Sequence, residues 1–330
     1  MSKIEFTKTY AGKELETIFF RPMLCGPDAR SLGISILYNT PAPVTLRFWR
    51  RSGDILHPFA EAGWNGSLPA ERYQKTIALS RVKAEASYSA QDYFDLVYEL
   101  IAARADANFE KLEGSELERA ETELFRQAVA ESLRATMWLG DTSRDNELYS
   151  SFNGFIPQIK AEIKADGPKC EIANFSYTAA ENNGDYILRS LWEYASDELR
   201  ALKSEGNLVY LVTSDVYAAY EDSLDAPLLE SAYLARQEGR DSLSFRGIPV
   251  VDIKVGKYLS DCKDVPSSFA LLTDRRNLAL AVNTGDYPGS EVRMWYNPDL
   301  MENRQRAVFM AGCDYLLPEL MVFADGGDGK

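Results

Sequence analysis

Apolar and polar positions change rhythm several times along the chain, and each change predicts a different element. Residues 1–42 hold only short apolar pieces, Ile18-Phe-Phe and Ile34-Ser-Ile-Leu-Tyr38, broken by Pro22, Gly26-Pro27 and Pro41-Ala-Pro43. Nothing there has the period of a self-contained core, so the segment reads as an arm lying on something else. From Val44 the pattern alternates: Val44-Thr-Leu-Arg-Phe-Trp-Arg50, and again Gln74 to Val82. The Gly-, Pro- and Asn-rich piece from Ser52 to Pro69 lies between them. Two alternating strands around a long irregular tip predict an extended hairpin over 43–86. Its basic residues mark a wet face, and a two-stranded ribbon is marginal without a docking surface.

The period then becomes helical. Ser89-x-x-Asp92 is a capping-box-like start, followed by Phe94, Val97, Ile101 and Ala105 at helical spacing up to Gly114. Ser115-x-x-Glu118 opens a second helix over 115–138. Leu117, Ala120, Leu124 and Ala128 form one stripe of it, Phe125, Val129, Leu133 and Met137 lie beside them, and Gly140 closes it. At 1.5 Å rise this is a rod of about 36 Å. Residues 160–290 read as a separate α/β unit. Asn182-Asn-Gly-Asp precedes a helix carrying Leu188, Leu191, Ala195, Leu199 and Leu202, ending near Gly206. The apolar strand 207–212 runs into the helix-start signal Thr213-Ser-Asp, and Phe245–Ile253, Phe269–Thr273 and Leu278–Asn283 read as further strands. Glu291–Asn297, Arg306–Tyr315 and Glu319–Ala324 return to extended pattern, and 325–330 reads as a frayed tail.

Composition narrows the function. In 330 residues, 36 Lys+Arg against 50 Asp+Glu give a net charge of −14. Such a chain lacks the cationic footprint of a non-specific nucleic-acid binder. A single histidine, His57, rules out a two-His metal site, and no nucleophile signature surrounds it. The four cysteines, Cys25, Cys170, Cys262 and Cys313, form no framework or C-x-x-C pair. The sequence shows no signal-peptide pattern and no run of about 18 apolar residues, so a soluble protein of a reducing compartment, without membrane association, is expected.

Catalytic motifs are missing: the sequence holds no phosphate loop, dinucleotide fingerprint, H-E-x-x-H or G-x-S-x-G. Asp141, Asp145 and Glu147 do not fit a calcium loop and read as a solvated loop. Asp215 follows an apolar strand, where catalytic acids can sit, but with Thr213 and Ser214 it reads as a helix cap. No catalytic, cofactor or metal residue is assigned. A carboxylate-dependent hydrolase stays open as an alternative, since it needs only two acids about 5–9 Å apart.

The order of elements resembles the major capsid protein of tailed bacteriophages, the Hong Kong 97-type fold. Lys75-Thr-Ile-Ala-Leu-Ser-Arg-Val-Lys-Ala-Glu-Ala-Ser-Tyr-Ser89 with Asp92 looks like the hairpin's return strand entering a helix. Helix 115–138 ending in Trp138-Leu-Gly-Asp-Thr, then Phe152-Asn-Gly-Phe-Ile, is similar to the spine helix and the junction after it. Leu208 to Tyr220, Leu243-Ser-Phe-Arg-Gly-Ile-Pro-Val-Val, Leu271-Leu-Thr-Asp-Arg-Arg-Asn-Leu-Ala-Leu and Pro318-Glu-Leu-Met-Val-Phe-Ala resemble later family strands and turns. The likeness spans about residues 70–324.

The resemblance implies an α+β capsid fold: N-terminal arm (1–42), extended hairpin loop (43–86), peripheral domain with the spine helix and a β-sheet (87–159 and 290–324), central α/β axial domain (160–289) and flexible tail (325–330). It implies a non-enzymatic shell subunit of a phage or prophage, made in the host bacterial cytoplasm and residing in the virion. Copies assemble as pentamers and hexamers around a DNA genome, without sequence-specific binding. Separate scaffold, portal and decoration proteins are the other implied partners. An encapsulin-like nanocompartment is the alternative within the same fold. Some relatives crosslink subunits through Lys and Asn, but no such constellation is recognisable around Lys75 or Lys83, and none is expected. Phe48, Trp49, Arg50, Arg51, Arg72 and Lys75 of the ribbon are the expected inter-subunit contacts, with packing inside their own subunit as the competing reading.

Overall fold

The computed structural model describes residues 7–10, 32–38, 44–50, 71–89, 114–144, 148–178, 183–225, 243–262, 264–283, 291–297, 299–300 and 302–327. The expected helix between Ser89 and Gly114, the hairpin tip, His57 and most of the arm lie outside these residues, as do residues 328–330 of the expected tail, whose Asp325 and Gly326 instead end a strand.

One sheet is organised around a long strand, β13 (Glu302–Tyr315). β5 (Ser80–Ser89) runs antiparallel along one side of it over residues 302–311. On the other side lie β12 (Glu291–Asn297), over 302–308, and then β11 (Leu278–Asn283), over 310–315. β1 (Thr7–Tyr10) and β2 (Ser35–Tyr38) extend it, so both described pieces of the arm are sheet strands. Among the described residues β3 (Val44–Arg50) and β4 (Glu71–Ile77) pair only with each other, as a two-stranded ribbon.

The second sheet has the order β6-β14-β10-β7-β9-β8. Its strands are β6 (Ala173–Tyr177), β7 (Leu208–Val212), β8 (Ser244–Phe245), β9 (Ile248–Asp252), β10 (Ser268–Asp274) and β14 (Met321–Gly326). Central strands covered on both faces read as unbroken apolar runs, and Leu-Val-Tyr-Leu-Val of β7 is buried throughout.

The helices explain which side chains go where. α1 (Gly114–Leu139) is the long rod, and α2 (Phe155–Asp166) follows it. Phe125, Val129, Leu133 and Met137 of α1 are buried, whereas Ala128 is exposed, so the core-facing stripe is the neighbouring one of the two the spacing offered. Trp138 at the end of α1 is buried against Phe155, with ring centroids 5.3 Å apart. One core joins α1, α2, one face of the β13 sheet and the Val209, Leu211, Phe269, Leu271 and Phe323 face of the second sheet. The opposite face of the second sheet, with Tyr210, Val212 and Leu272, packs against α3 (Gly184–Tyr194), α4 (Asp197–Ala201) and α5 (Ser214–Asp225).

Four expectations need correction. The helix expected from Asn182 to Gly206 is two helices, because the Ser196 hydroxyl accepts from Leu199 N–H and restarts the chain as an N-cap. The strand expected over 245–253 is a hairpin. Arg246 (φ 53°) and Gly247 (φ 80°) turn the chain between Phe245 and Ile248, and two successive positive φ values match the twist of a two-residue hairpin. The division between 160–289 and 290–324 is crossed twice: β11 joins the β13 sheet, and β14 inserts between β6 and β10 of the second. Finally, the hydroxyls of Thr213 and Ser214, expected as caps of α5, bond to neighbouring strands. Thr213 Oγ1 accepts from Phe269 N–H, tying β7's end to β10, and Ser214 Oγ donates to the Asp252 carboxylate. Asp215 remains in the first turn of α5, where a negative charge favours the helix dipole.

Candidate assembly site

The ribbon is anchored at its root. Val44 pairs with Ile77, and both are buried with Ala279 and Ala281 of β11 in a small satellite core. The link from β4 to β5 then crosses directly over β13: a Cβ at Gly312 would lie 2.2 Å from the Ala78 carbonyl oxygen. Only a residue without a side chain allows that approach.

Lys75 completes the root. Its ammonium is 2.8 Å from Asp314 Oδ1 and 3.9 Å from the centre of the Tyr315 ring. The Tyr315 hydroxyl donates to Glu162 Oε2 of α2, and Gln158 Nε2 donates to the Cys313 carbonyl at 2.9 Å. Ribbon, β13 and α2 are thus tied at one point. Burial pushes the Asp314 carboxyl above its usual range, while the hydrogen bond and charge of Lys75 pull the other way. The Tyr315 hydroxyl is also pushed up, chiefly by burial.

The expected contact residues divide between the described and undescribed parts. Phe48, Trp49 and Arg50 lie on β3 and Arg72 on β4, with Trp49 opposite Arg72 and Phe48 opposite Tyr73. Arg51 lies outside the described residues. Lys75 is engaged within its own chain, so the structure adds Asp314, Tyr315 and Glu162, which the sequence reading missed. A signal existed: an Asp in the apolar strand Val308-Phe-Met-Ala-Gly-Cys-Asp-Tyr315 demands a buried counter-charge. Nothing local says that the charge comes from Lys75, more than two hundred positions earlier.

An acid pair for hydrolysis would need one carboxyl held up and one held down, facing each other across a cleft. Among the described residues the carboxyl pushed up is Asp314, which is bonded to Lys75. Those held down are elsewhere. Glu85 lies on β5, held chiefly by a hydrogen bond from Lys83. Glu131 lies on α1, held chiefly by the Tyr258 hydroxyl, and Asp141, on the loop after α1, accepts hydrogen bonds from Ser143. One cleft, between β5 and α1, is lined mainly by Val82, Ala84, Phe125, Val129 and Phe309; a second lies beside α2. Asp314 lines neither. No group of three or more metal-ligating side chains occurs among the described residues.

No family model matches the sequence, and no curated protein matches it either. Solved structures do. A chain of the satellite phage P4 procapsid including size determination (Sid) protein aligns over 99% of this chain and 95% of its own length, with TM-score 0.59 and 11% identity. The capsid of an empty GTA particle aligns over 91% and 89%, with TM-score 0.50 and 14% identity. At such identities the agreement lies in the path of the backbone. In this chain the path runs through a ribbon, a long helix, a sheet built on one long strand and a second α/β sheet. This chain has the fold of tailed-phage capsid subunits, the Hong Kong 97-type fold.

Proposed function

We propose that this protein is the major capsid protein of a tailed phage or prophage, a non-enzymatic subunit that self-assembles into the shell around the DNA genome. The observation that carries the reading is the ribbon: a β-hairpin whose base is buried and whose strands pair, among the described residues, only with each other, on a scaffold aligning along 99% of its length with a procapsid chain. An isolated two-stranded ribbon is marginal in water, and a neighbouring copy is the surface that stabilises it. In this reading Phe48, Trp49, Arg50, Arg51 and Arg72 contact the neighbouring subunit, and Lys75 sets the angle at which the ribbon leaves the body.

Pentamers and hexamers are the expected units, formed in the host cytoplasm and retained in the virion. Scaffold, portal and decoration proteins are the expected further partners. The net charge of −14 suits a wall that does not grip DNA over its whole surface. The test is light scattering with electron microscopy of the purified full chain. Shells or capsomers are expected, and a strict monomer at high concentration overturns the proposal. Particles from the native source should contain DNA; a packed enzyme cargo would assign the nanocompartment instead.

A further inference from the structure

The second cleft, of about 480 Å³, lies between the loop after α1, α2 and β6, with Arg144, Lys160, Lys164, Asn174, Asp141 and Asp264 on its walls. Arg144 is unusual there. Its side chain is 5% exposed, and one guanidinium nitrogen, Nη1, donates to the Leu139 carbonyl at 3.3 Å and to Cys262 Sγ at 3.2 Å. The other edge, Nε with Nη2, is the fork that grips two oxygens of a carboxylate or phosphate side by side. Neither nitrogen of that fork has a hydrogen-bond partner among the described residues. The Asp264 carboxylate is 3.7 Å from Nε, beyond hydrogen-bond length, and is 76% exposed. Buried charged donors without hydrogen-bond acceptors are costly: the Asp264 carboxylate offsets the charge of this edge from 3.7 Å but leaves both of its N–H groups open to a closer acceptor.

We infer that this cleft is a binding site for a single compact oxyanion, a carboxylate or phosphate, gripped by the Nε–Nη2 edge of Arg144. Lys160 and Lys164 add positive charge at the walls. Lys160 is partly committed, with its ammonium 3.6 Å from Asp325 Oδ2 and 3.4 Å from the Asp264 carbonyl. Asp141 faces its own backbone, accepting from Ser143 N–H. Asp264 acts as an internal competitor for the fork, and the anion enters as that exposed side chain swings aside. Asp141, Asp264 and Asp325 together limit the cleft to one small anion, since they repel additional negative charge. The inference rests on the cleft alone and is independent of the shell reading.

The experiment is calorimetric titration of the full chain with inorganic phosphate at constant ionic strength, with chloride as control. Saturable binding is expected. Asp264→Asn removes the competitor and should tighten it roughly two- to fivefold, the worth of an exposed ion pair. Arg144→Gln should weaken it about tenfold or more. Should that variant fail to fold, Lys164→Ala, on an exposed residue, should weaken it roughly two- to fivefold. Binding to assembled and dissociated protein alike assigns free phosphate as the ligand. Binding to the dissociated form alone assigns a carboxylate of a second copy. No saturable binding to either wild type or Asp264→Asn overturns the inference, as does equal affinity in Asp264→Asn and Arg144→Gln.

Discussion

Replacing Gly312 by alanine adds one methyl group at the point where the ribbon is fastened to the body. That methyl would lie 2.2 Å from the Ala78 carbonyl oxygen, 3.2 Å from its carbon and 3.3 Å from Leu79 Cδ2. The oxygen contact is about 1 Å too short for ordinary van der Waals packing, and relief requires a backbone to move. Neither backbone is free. Next to Gly312, Ala311 pairs with Val282 on one side and Ser80 on the other, while Ile77, next to Ala78, pairs with Val44. Overpacking a close-packed site costs about 1–3 kcal/mol, and a clash with main chain belongs at the upper end. Loss of glycine's freedom in the unfolded chain gives back about 0.4–1 kcal/mol. The expected net destabilisation is therefore about 2 kcal/mol. In urea unfolding followed by tryptophan fluorescence, with a slope of about 3 kcal/mol/M, the midpoint should fall by roughly 0.7 M. Gly327→Ala is the control: nothing lies within 4 Å of a Cβ there, so its midpoint should not fall and can rise by up to about 0.3 M through the same unfolded-state effect. A Gly312→Ala midpoint equal to the wild type's would refute the crossing as drawn.

Two further substitutions test the charges. Lys75→Met removes the group opposing the upward push on Asp314. A carboxyl whose folded pKa is raised adds stability below its unfolded pKa, and that contribution is lost as pH rises through the folded value. The penalty of Lys75→Met should therefore be small near pH 3 and grow to about 1–2 kcal/mol at pH 7. That is less than breaking a fully buried pair, because the lysine side chain is 32% exposed. Equal penalties by urea titration at the two pH values would contradict this. Arg276→Ala strips the fork from Asp274, whose side chain is 3% exposed and accepts from Arg276 Nε and Nη2. Because the arginine is 57% exposed, the expected loss in thermal or urea unfolding is about 1–2 kcal/mol. Arg276→Lys should recover only part of it, since an ammonium cannot reproduce the two-pronged geometry.

What the sequence made legible follows from how local each signal is. The long helix was readable because caps, period and the closing Gly140 all lie within its own span; the structure runs it from Gly114 to Leu139. Its buried face was less secure, since two adjacent apolar stripes satisfied the same period and only the neighbouring sheets choose Phe125 over Ala128. The ribbon's pairing was legible from alternation, but the point at which β4 gives way to β5 was not. Alternation continues through Val82, and the break at Ala78 is set by β13 beneath it. The same limit hid the placement of β14. An apolar strand carries no record of its sheet, and its neighbours β6 and β10 are fixed by the fold as a whole. The Arg246–Gly247 turn was overlooked because glycine alone did not outweigh the apolar run around it. Asp314 announced a need for a partner but not its identity.

The competition between a shell subunit and a hydrolase turns on where this chain places its perturbed acids and its unsupported backbone. Among the described residues the raised carboxyl fastens a ribbon root, at a position lining neither described cleft, and the lowered ones, on β5, on α1 and on the loop after α1, are each held by their own neighbours. A catalytic pair needs the two kinds to converge on one substrate, and these diverge. The ribbon shows the opposite tendency. Its base is fixed by Val44, Ile77, the Gly312 crossing and the Lys75 clamp, all within a few residues. Rigid anchoring of a ribbon that has no other described partner strand sets the direction in which its outer part is presented. Such stiffness serves no purpose in a lid that must open over substrate. In a subunit that has to meet its neighbour at a reproducible angle, it determines the geometry of contact. A variant that loosens the root while leaving the core folded, such as Lys75→Met, should accordingly broaden the size distribution of assembled particles even though it lowers the stability of the subunit by only about 1–2 kcal/mol. Uniform particles from that variant would place the control of the angle elsewhere.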